Sequence, residues 1–356
     1  MNGFNNSIFR LLDANMNRAL EGIRVLEETA RMLFDDCDLT KKIKDIRHSL
    51  VRIIKEEGDL DCLMLFSRGS ERDTLREGET FSEKTRIDII SIIRANASRA
   101  QEAVRAMEEY IKLSFPRLSG GFKNVRFNLY DVEKDLVSLI HLSELINESR
   151  LNLCVIIDRE LVIEKDIYEI TNAVIDGGAG TVTYRDKTSR DFDFMKNAEL
   201  MLYACVERRV TTIIEDRLDI AMIIHADGVS VGYHDIPVKA CRSIAGKAFV
   251  IGLSLPFDNN LSDKIDDEVD YYIIGPLFED EENRQSNLKT LSEFVSLLHV
   301  PIVAFGGITV DNITSVLDCG VTGVVLEPDF SNLIKINKEL QNYKKIIEAY
   351  RVNGSK

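Results

Sequence analysis

Basic charge is in short supply in this sequence: 45 lysines and arginines stand against 59 aspartates and glutamates, a formal net charge of −14. With a pI near 5.0, the chain lacks the positive footprint that polynucleotide binding requires, so no nucleic-acid partner is expected. Long apolar runs are missing too. No window approaches 18 uninterrupted apolar residues, and the opening MNGFNNSIFRLLDANMNR has neither an apolar signal core nor a small-residue cleavage site, which argues against a membrane partner and against export. Six scattered cysteines (Cys37, Cys62, Cys154, Cys205, Cys241, Cys319) form no CxxC pair, disfavouring a structural zinc site or a disulfide framework and pointing to a reducing, cytoplasmic home. The five histidines show no HxxxH or HExxH spacing, so zinc hydrolysis has no support.

What is present fits a folded, two-domain chain. At 356 residues, 45% hydrophobic and 29% charged, the composition is that of a globular protein rather than a disordered one, and the length suggests two cores. Residues up to about 145 read as helices, whereas 151–330 alternate short apolar runs with helical stretches. The expected division is therefore 1–147 followed by 151–350. The acidity belongs to the second part, since the first 145 residues hold 23 basic and 25 acidic side chains.

The first part is internally repeated. Residues 14–28, ANMNRALEGIRVLEE, match residues 95–109, ANASRAQEAVRAMEE, at an offset of 81, and KDIRHSL at 44–50 matches KNVRFNL at 123–129 at an offset of 79. The pattern predicts an all-helical, pseudo-twofold bundle. At helical period, Met16, Ala19, Leu20, Ile23, Leu26, Ala30 and Leu33 make one apolar stripe. Glu21, Arg24 and Glu28 read as a solvated charge ladder on the far side. Asn15 and Arg18 lie on the stripe's edge, and with their copies Asn96 and Arg99 they are candidates to line a shared polar cleft for a phosphate ester.

The second part offers eight candidate strands, at 153–158, 180–185, 210–216, 227–232, 249–254, 270–275, 301–307 and 322–327. Such short β-branched runs suit a parallel sheet covered on both faces. Eight strand–helix units in this length predict a (β/α)₈ TIM barrel, with its chemistry at the carboxyl ends of the strands; the doubly wound sheet is the alternative. Those ends carry Thr183, Arg185 and Lys187 on one side of the second strand, Glu215 and Asp216 after the third, Asp235 after the fourth, Ser254 on the fifth and Gly306-Gly307 after the seventh. Two cations can grip phosphate. Asp216 and Asp235 are the best pair for Mg²⁺, which takes one or two protein carboxylates and completes its shell with water and phosphate oxygens. The paired glycines can offer backbone N–H groups to a phosphate.

The succession TYRDK, IIEDRLDIA, ADGVSVGYHDIP, IGLS, GPLF and PIVAFGGI resembles thiamine phosphate synthase, and the duplicated ANxxRAxExxR block resembles the helical hydroxymethylpyrimidine phosphate kinase-like domain fused ahead of some of these synthases. The resemblance implies a bifunctional transferase: ATP-dependent phosphorylation of the pyrimidine phosphate in the first domain, and Mg²⁺-dependent condensation of the diphosphate with thiazole phosphate in the barrel. It further implies that Arg185, Lys187 and Ser254 are catalytic, Asp216 and Asp235 ligate the metal, and Gly306 binds phosphate. The family usually has Gln at Thr183 and Asn at Glu215. Glu279, Asp280, Glu281, Glu282 and Asn283 stand where it has a Thr-x-Thr-Lys turn, and Glu327-Pro328-Asp329 replaces a serine-containing turn. These departures leave two other expectations open: an active kinase beside a decayed or repurposed phosphate-binding barrel, or a non-enzymatic helical dimerisation module, with a homodimer as its assembly, carrying a ligand-binding barrel.

Overall fold

The computed structural model describes residues 2–68, 86–162, 165–258, 261–278 and 284–354, and it divides into two compact units, Met1–Ile140 and His141–Lys356. Helices α1 (Asn2–Met32), α2 (Cys37–Lys55), α3 (Leu60–Phe66), α4 (Ile89–Tyr110) and α5 (Ser119–Leu145) carry the repeat. Two of their starts are set by short polar side chains. The Asp36 carboxylate accepts from the Leu39 N–H at the head of α2, and Asp88 and Ser91 form a reciprocal capping box at the head of α4, each satisfying N–H groups that have no partner in the first turn.

The duplication extends into the core. Ala19, Ile23, Leu26 and Ala30 on α1 and their copies Ala100, Val104, Met107 and Ile111 are all buried, as are Ile43, Ile46, Leu50 and Ile53 on α2 and their copies Phe122, Val125, Leu129 and Val132 on α5. Helices α1 and α4 meet at Gly22, where a Cβ would stand 2.6 Å from the Asn96 carbonyl oxygen; at this crossing the missing side chain lets the two backbones approach. Leu33, expected on the core stripe, lies beyond the end of α1 and is 58% exposed.

The charge ladder is more than a solvated face. Glu27 is 6% exposed and accepts from Arg24 on its own helix and from Arg47 Nε at 2.8 Å; its copy Glu108 is 5% exposed and accepts from Arg105 and from Arg126 Nε at 3.0 Å. The matched KDIR and KNVR blocks thus supply the second arginine of each buried pair. Arg24 and Glu28 pair at 2.6 Å as the ladder requires, but Glu21 belongs elsewhere, beside Arg18.

In the second unit, strands β1 (Leu153–Asp158), β2 (Thr181–Arg185), β3 (Thr211–Glu215), β4 (Gly228–Gly232), β5 (Val250–Pro256), β6 (Tyr271–Gly275), β7 (Ile302–Phe305) and β8 (Gly323–Leu326) close an all-parallel barrel in sequence order. The short helix α6 (Glu148–Leu151) precedes β1, between the strands run α7 (Ile167–Asp176), α8 (Asp191–Arg208), α9 (Leu218–Ile223), α10 (Val238–Ala245), α11 (Arg284–Leu297) and α12 (Ile313–Leu317), and α13 (Leu333–Gly354) follows β8. Between β5 and β6 the described residues form only a short 3₁₀ turn, Leu261–Lys264, where a full strand–helix unit was expected. Strand parity sorts the side chains. Val155, Ile157, Val182, Tyr184 and Ile214 pack with the surrounding helices, while Cys154, Ile156, Ile213, Tyr271, Ile273, Val303 and Val325 fill the interior over Leu142, Leu145 and Ile146. No described helix is long and apolar enough to cross a membrane.

Candidate active site

Continuing the inward parity past the apolar interior brings polar residues to the carboxyl ends of the strands. They surround a cavity of about 210 Å³ whose walls include Thr183, Arg185, Lys187, Glu215, Asp216, Asp235 and Ser254. Sequence reasoning singled out all seven. The cavity floor adds Cys154, Thr181, Ser230 and Tyr271. Tyr271 reaches across β5 because Gly252 leaves room: a Cβ there would collide with the ring carbons of Tyr271. Burial holds the Tyr271 phenol well above its usual range, and the buried Ser230 hydroxyl has no hydrogen-bond partner among the described residues.

Consecutive residues of a strand normally face opposite ways, yet Glu215 and Asp216 both line the cavity. The reason is the left-handed backbone of Asp216 (φ 62°), a conformation Asp tolerates better than most residues, fixed by its N–H donating to the Ser230 carbonyl at 2.8 Å. The turn sets three carboxylates near one another. Burial, with Glu215 and Asp235 adding repulsion, pushes the Asp216 carboxyl up to about 6, against the opposing pull of Lys187 and Arg185. Asp235 is exposed and accepts from the Gly232 N–H at 3.0 Å. The adjacent Arg217 does not serve these acids, being held by Asp191 and Asp219 at 2.7 Å each.

Arg185 is not an open cation. Its Nε donates to Glu215 at 2.7 Å, its Nη1 donates to Glu327, and Asp158 lies 3.6 Å from the same nitrogen. Asp158 went unnoticed in the sequence, although the inward parity of Cys154 and Ile156 leads directly to it. Lys187, by contrast, is exposed and has no ion-pair partner among the described residues. Gly306 and Gly307 adopt positive φ, 91° and 68°, and line a neighbouring cavity of about 290 Å³ with Glu327, Pro328, Glu339 and Tyr343. They are therefore brought together with the Glu-Pro turn and not with Lys187. Residues 279–283 lie outside the described residues.

In the helical unit, Asn15, Arg18, Glu21, Arg99, Glu102 and Ala103 line a pocket of about 500 Å³. Both arginines are exposed and neither has an ion-pair partner among the described residues. Asn96 is not in this lining. It and Asn15 behave alike, each donating from Nδ2 to the carbonyl four residues earlier, Ile92 at 2.8 Å and Leu11 at 2.9 Å. Glu21 and Glu102 are repeat mates that sequence reasoning did not place here; their offset of 81 was the available signal.

Two family models match the chain: thiamine monophosphate synthase over residues 153–327 and the ThiD2 family over residues 10–135. A thiamine-phosphate synthase of Prochlorococcus marinus is 32% identical over 340 residues, covering 91% of each chain, and one of Nostoc punctiforme is 30% identical over 323 residues, 90% of this chain and 88% of the relative. This chain belongs to the thiamine-phosphate synthase family. A solved thiamine phosphate pyrophosphorylase from Pyrococcus furiosus is 27% identical, covering 57% of this chain and 98% of its own, with a TM-score of 0.49. Glu215 and Glu327, both singled out in the sequence as unexpected for such a barrel, hold Arg185.

Proposed function

We propose that this transferase carries out two consecutive steps of thiamine biosynthesis. The helical unit transfers a phosphate from ATP to hydroxymethylpyrimidine phosphate. In the barrel, the resulting diphosphate ionises with departure of pyrophosphate, and the nitrogen of thiazole phosphate bonds to the carbon left behind. The observation that carries this reading is the meeting of Lys187, Arg185, Ser254, Asp216 and Asp235 on one cavity at the carboxyl ends of the barrel strands, where this fold does its chemistry.

The donor set fits Mg²⁺. Asp216 and Asp235 line one cavity and are close enough for the second to raise the first. Two carboxylates with room for water and phosphate oxygens suit this ion better than an all-protein cage would. Bound there, Mg²⁺ would neutralise charge on the departing pyrophosphate. Lys187 supplies an exposed positive charge to the diphosphate, and the Ser254 hydroxyl hydrogen-bonds one of its oxygens. In the helical unit, Arg18 and Arg99 bind the phosphate of the pyrimidine substrate. The scattered cysteines without any CxxC pair support a reducing, cytoplasmic setting for these steps.

The test gives the full chain pyrimidine monophosphate with ATP in one assay, and pyrimidine diphosphate, thiazole phosphate and Mg²⁺ in another. Both products should form. The three carboxylates on Arg185 favour one competing reading, a kinase beside a barrel that binds without turnover. Product in the first assay and none in the second would establish it.

A further inference from the structure

The Arg185 guanidinium is the best-placed anion receptor in the barrel mouth, and it is already occupied. Glu215 holds its Nε edge from β3, and Glu327, one residue past β8, holds Nη1 from the opposite side. These two acids are not equivalent. The Glu215 side chain is 17% exposed and sits on the cavity wall beside Asp216, whereas that of Glu327 is 27% exposed and lines the neighbouring cavity with Gly306 and Gly307. The two cavities share Phe305 and Val325 as walls, and Glu327 follows the last of the β8 residues that turn inward. A carboxylate and a phosphate oxygen make the same charge-assisted bonds to a guanidinium.

We infer that Glu327 is an internal competitor for the anion seat on Arg185, which a phosphate group of the substrate must displace before Arg185 can grip it. Arg185 with its three acids carries a net charge of −2, so an incoming anion meets repulsion until Glu327 releases Arg185 and turns further into the second cavity, whose wall it already forms. That cavity has the volume to receive a carboxylate, at about 290 Å³. Glu327 is thus a specificity-determining residue: it sets how strongly charged a ligand must be to engage Arg185, while Glu215 orients the guanidinium from its other edge.

The inference rests on the proposed reading of the barrel as a diphosphate site, and the two are tested separately. Inorganic pyrophosphate with Mg²⁺ is titrated by calorimetry into the full chain, into Glu327→Gln and Glu327→Ala, and into the double variant Arg185→Gln/Glu327→Gln, with thermal melts to establish folding. Both single variants should bind pyrophosphate at least about tenfold tighter than the wild type, the change expected when a competing hydrogen bond worth about 1.4 kcal/mol is removed. The double variant should lose that gain. Wild-type affinity in both folded single variants overturns the inference, and so does a gain that survives the loss of Arg185, because it would then report general relief of repulsion. Condensation activity in the wild type without any affinity gain in the variants defeats the competitor alone. An affinity gain without condensation activity defeats the synthase reading alone.

Discussion

Asp216 shows how one backbone angle can set chemistry. Its left-handed turn places a carboxyl beside Glu215 and Asp235, and burial with their repulsion raises it from 3.8 to about 6. A raised acid stabilises the fold in its protonated form; that contribution is complete below about 3.8 and is lost as the pH rises through about 6. We therefore expect Asp216→Asn to be more stable than the wild type at pH 7.5, by about 1–2 kcal/mol once solvent screening of this half-buried group is allowed for, and the difference to vanish near pH 4. Urea denaturation at the two pH values measures this. Saturating Mg²⁺ should narrow the gap at pH 7.5, because the ion binds the wild-type carboxylate. Arg18 and Arg99 present the opposite case, exposed cations with no ion-pair partner among the described residues. Reversing either to Glu should raise KM for pyrimidine phosphate by about tenfold or more, since a charge-assisted contact becomes a repulsive one, with Tm within about 2 °C of wild type because no folded-state ion pair is lost. A large fall in Tm without a KM effect would show these arginines to be structural.

Among the elements, the crossing of α1 over α4 is the tightest point of the duplication. Gly22 faces a backbone oxygen that cannot move aside cheaply, whereas its repeat mate is Ala103. Gly22→Val should therefore cost about 1–3 kcal/mol through overpacking, while Ala103→Gly should cost only about 1 kcal/mol through helix propensity; the ratio is read from paired denaturation curves. The repeat was legible because both copies kept the same buried positions, and the strands were legible because two-sided burial demands β-branched runs, so that 180–185 became Thr181–Arg185 and 322–327 became Gly323–Leu326. The Arg185 cluster was not legible. Its partners lie on β1, on β3 and after β8, the last 142 residues away, and only barrel closure brings them together. Parity alone would have turned Asp158 inward. Asp216 breaks parity through its φ, which the sequence does not display, and the buried pairs of Glu27 and Glu108 needed the approach of a second helix.

For the whole molecule, the question is where the barrel begins. A unit cut at residue 151 keeps every strand but loses Leu142, Leu145 and Ile146, which pack beneath Cys154, Ile213 and Tyr271 at the barrel floor. It also loses two carbonyls that answer buried threonines: Leu145 accepts from Thr211 Oγ1 at 3.0 Å and Arg150 from Thr181 Oγ1 at 2.9 Å. Removing a buried leucine or isoleucine commonly costs about 2–5 kcal/mol, and each stranded hydroxyl adds about 1–3, against a total stability of only about 5–15 kcal/mol for a domain. We propose that the functional boundary precedes His141, so that residues 141–356 unfold cooperatively while 151–356 give a broad, low-temperature transition with exposed apolar surface. Calorimetry and dye binding on the two fragments decide it. Equal melting of both would mean that the floor contributes little and that the strands and their helices hold the barrel closed by themselves.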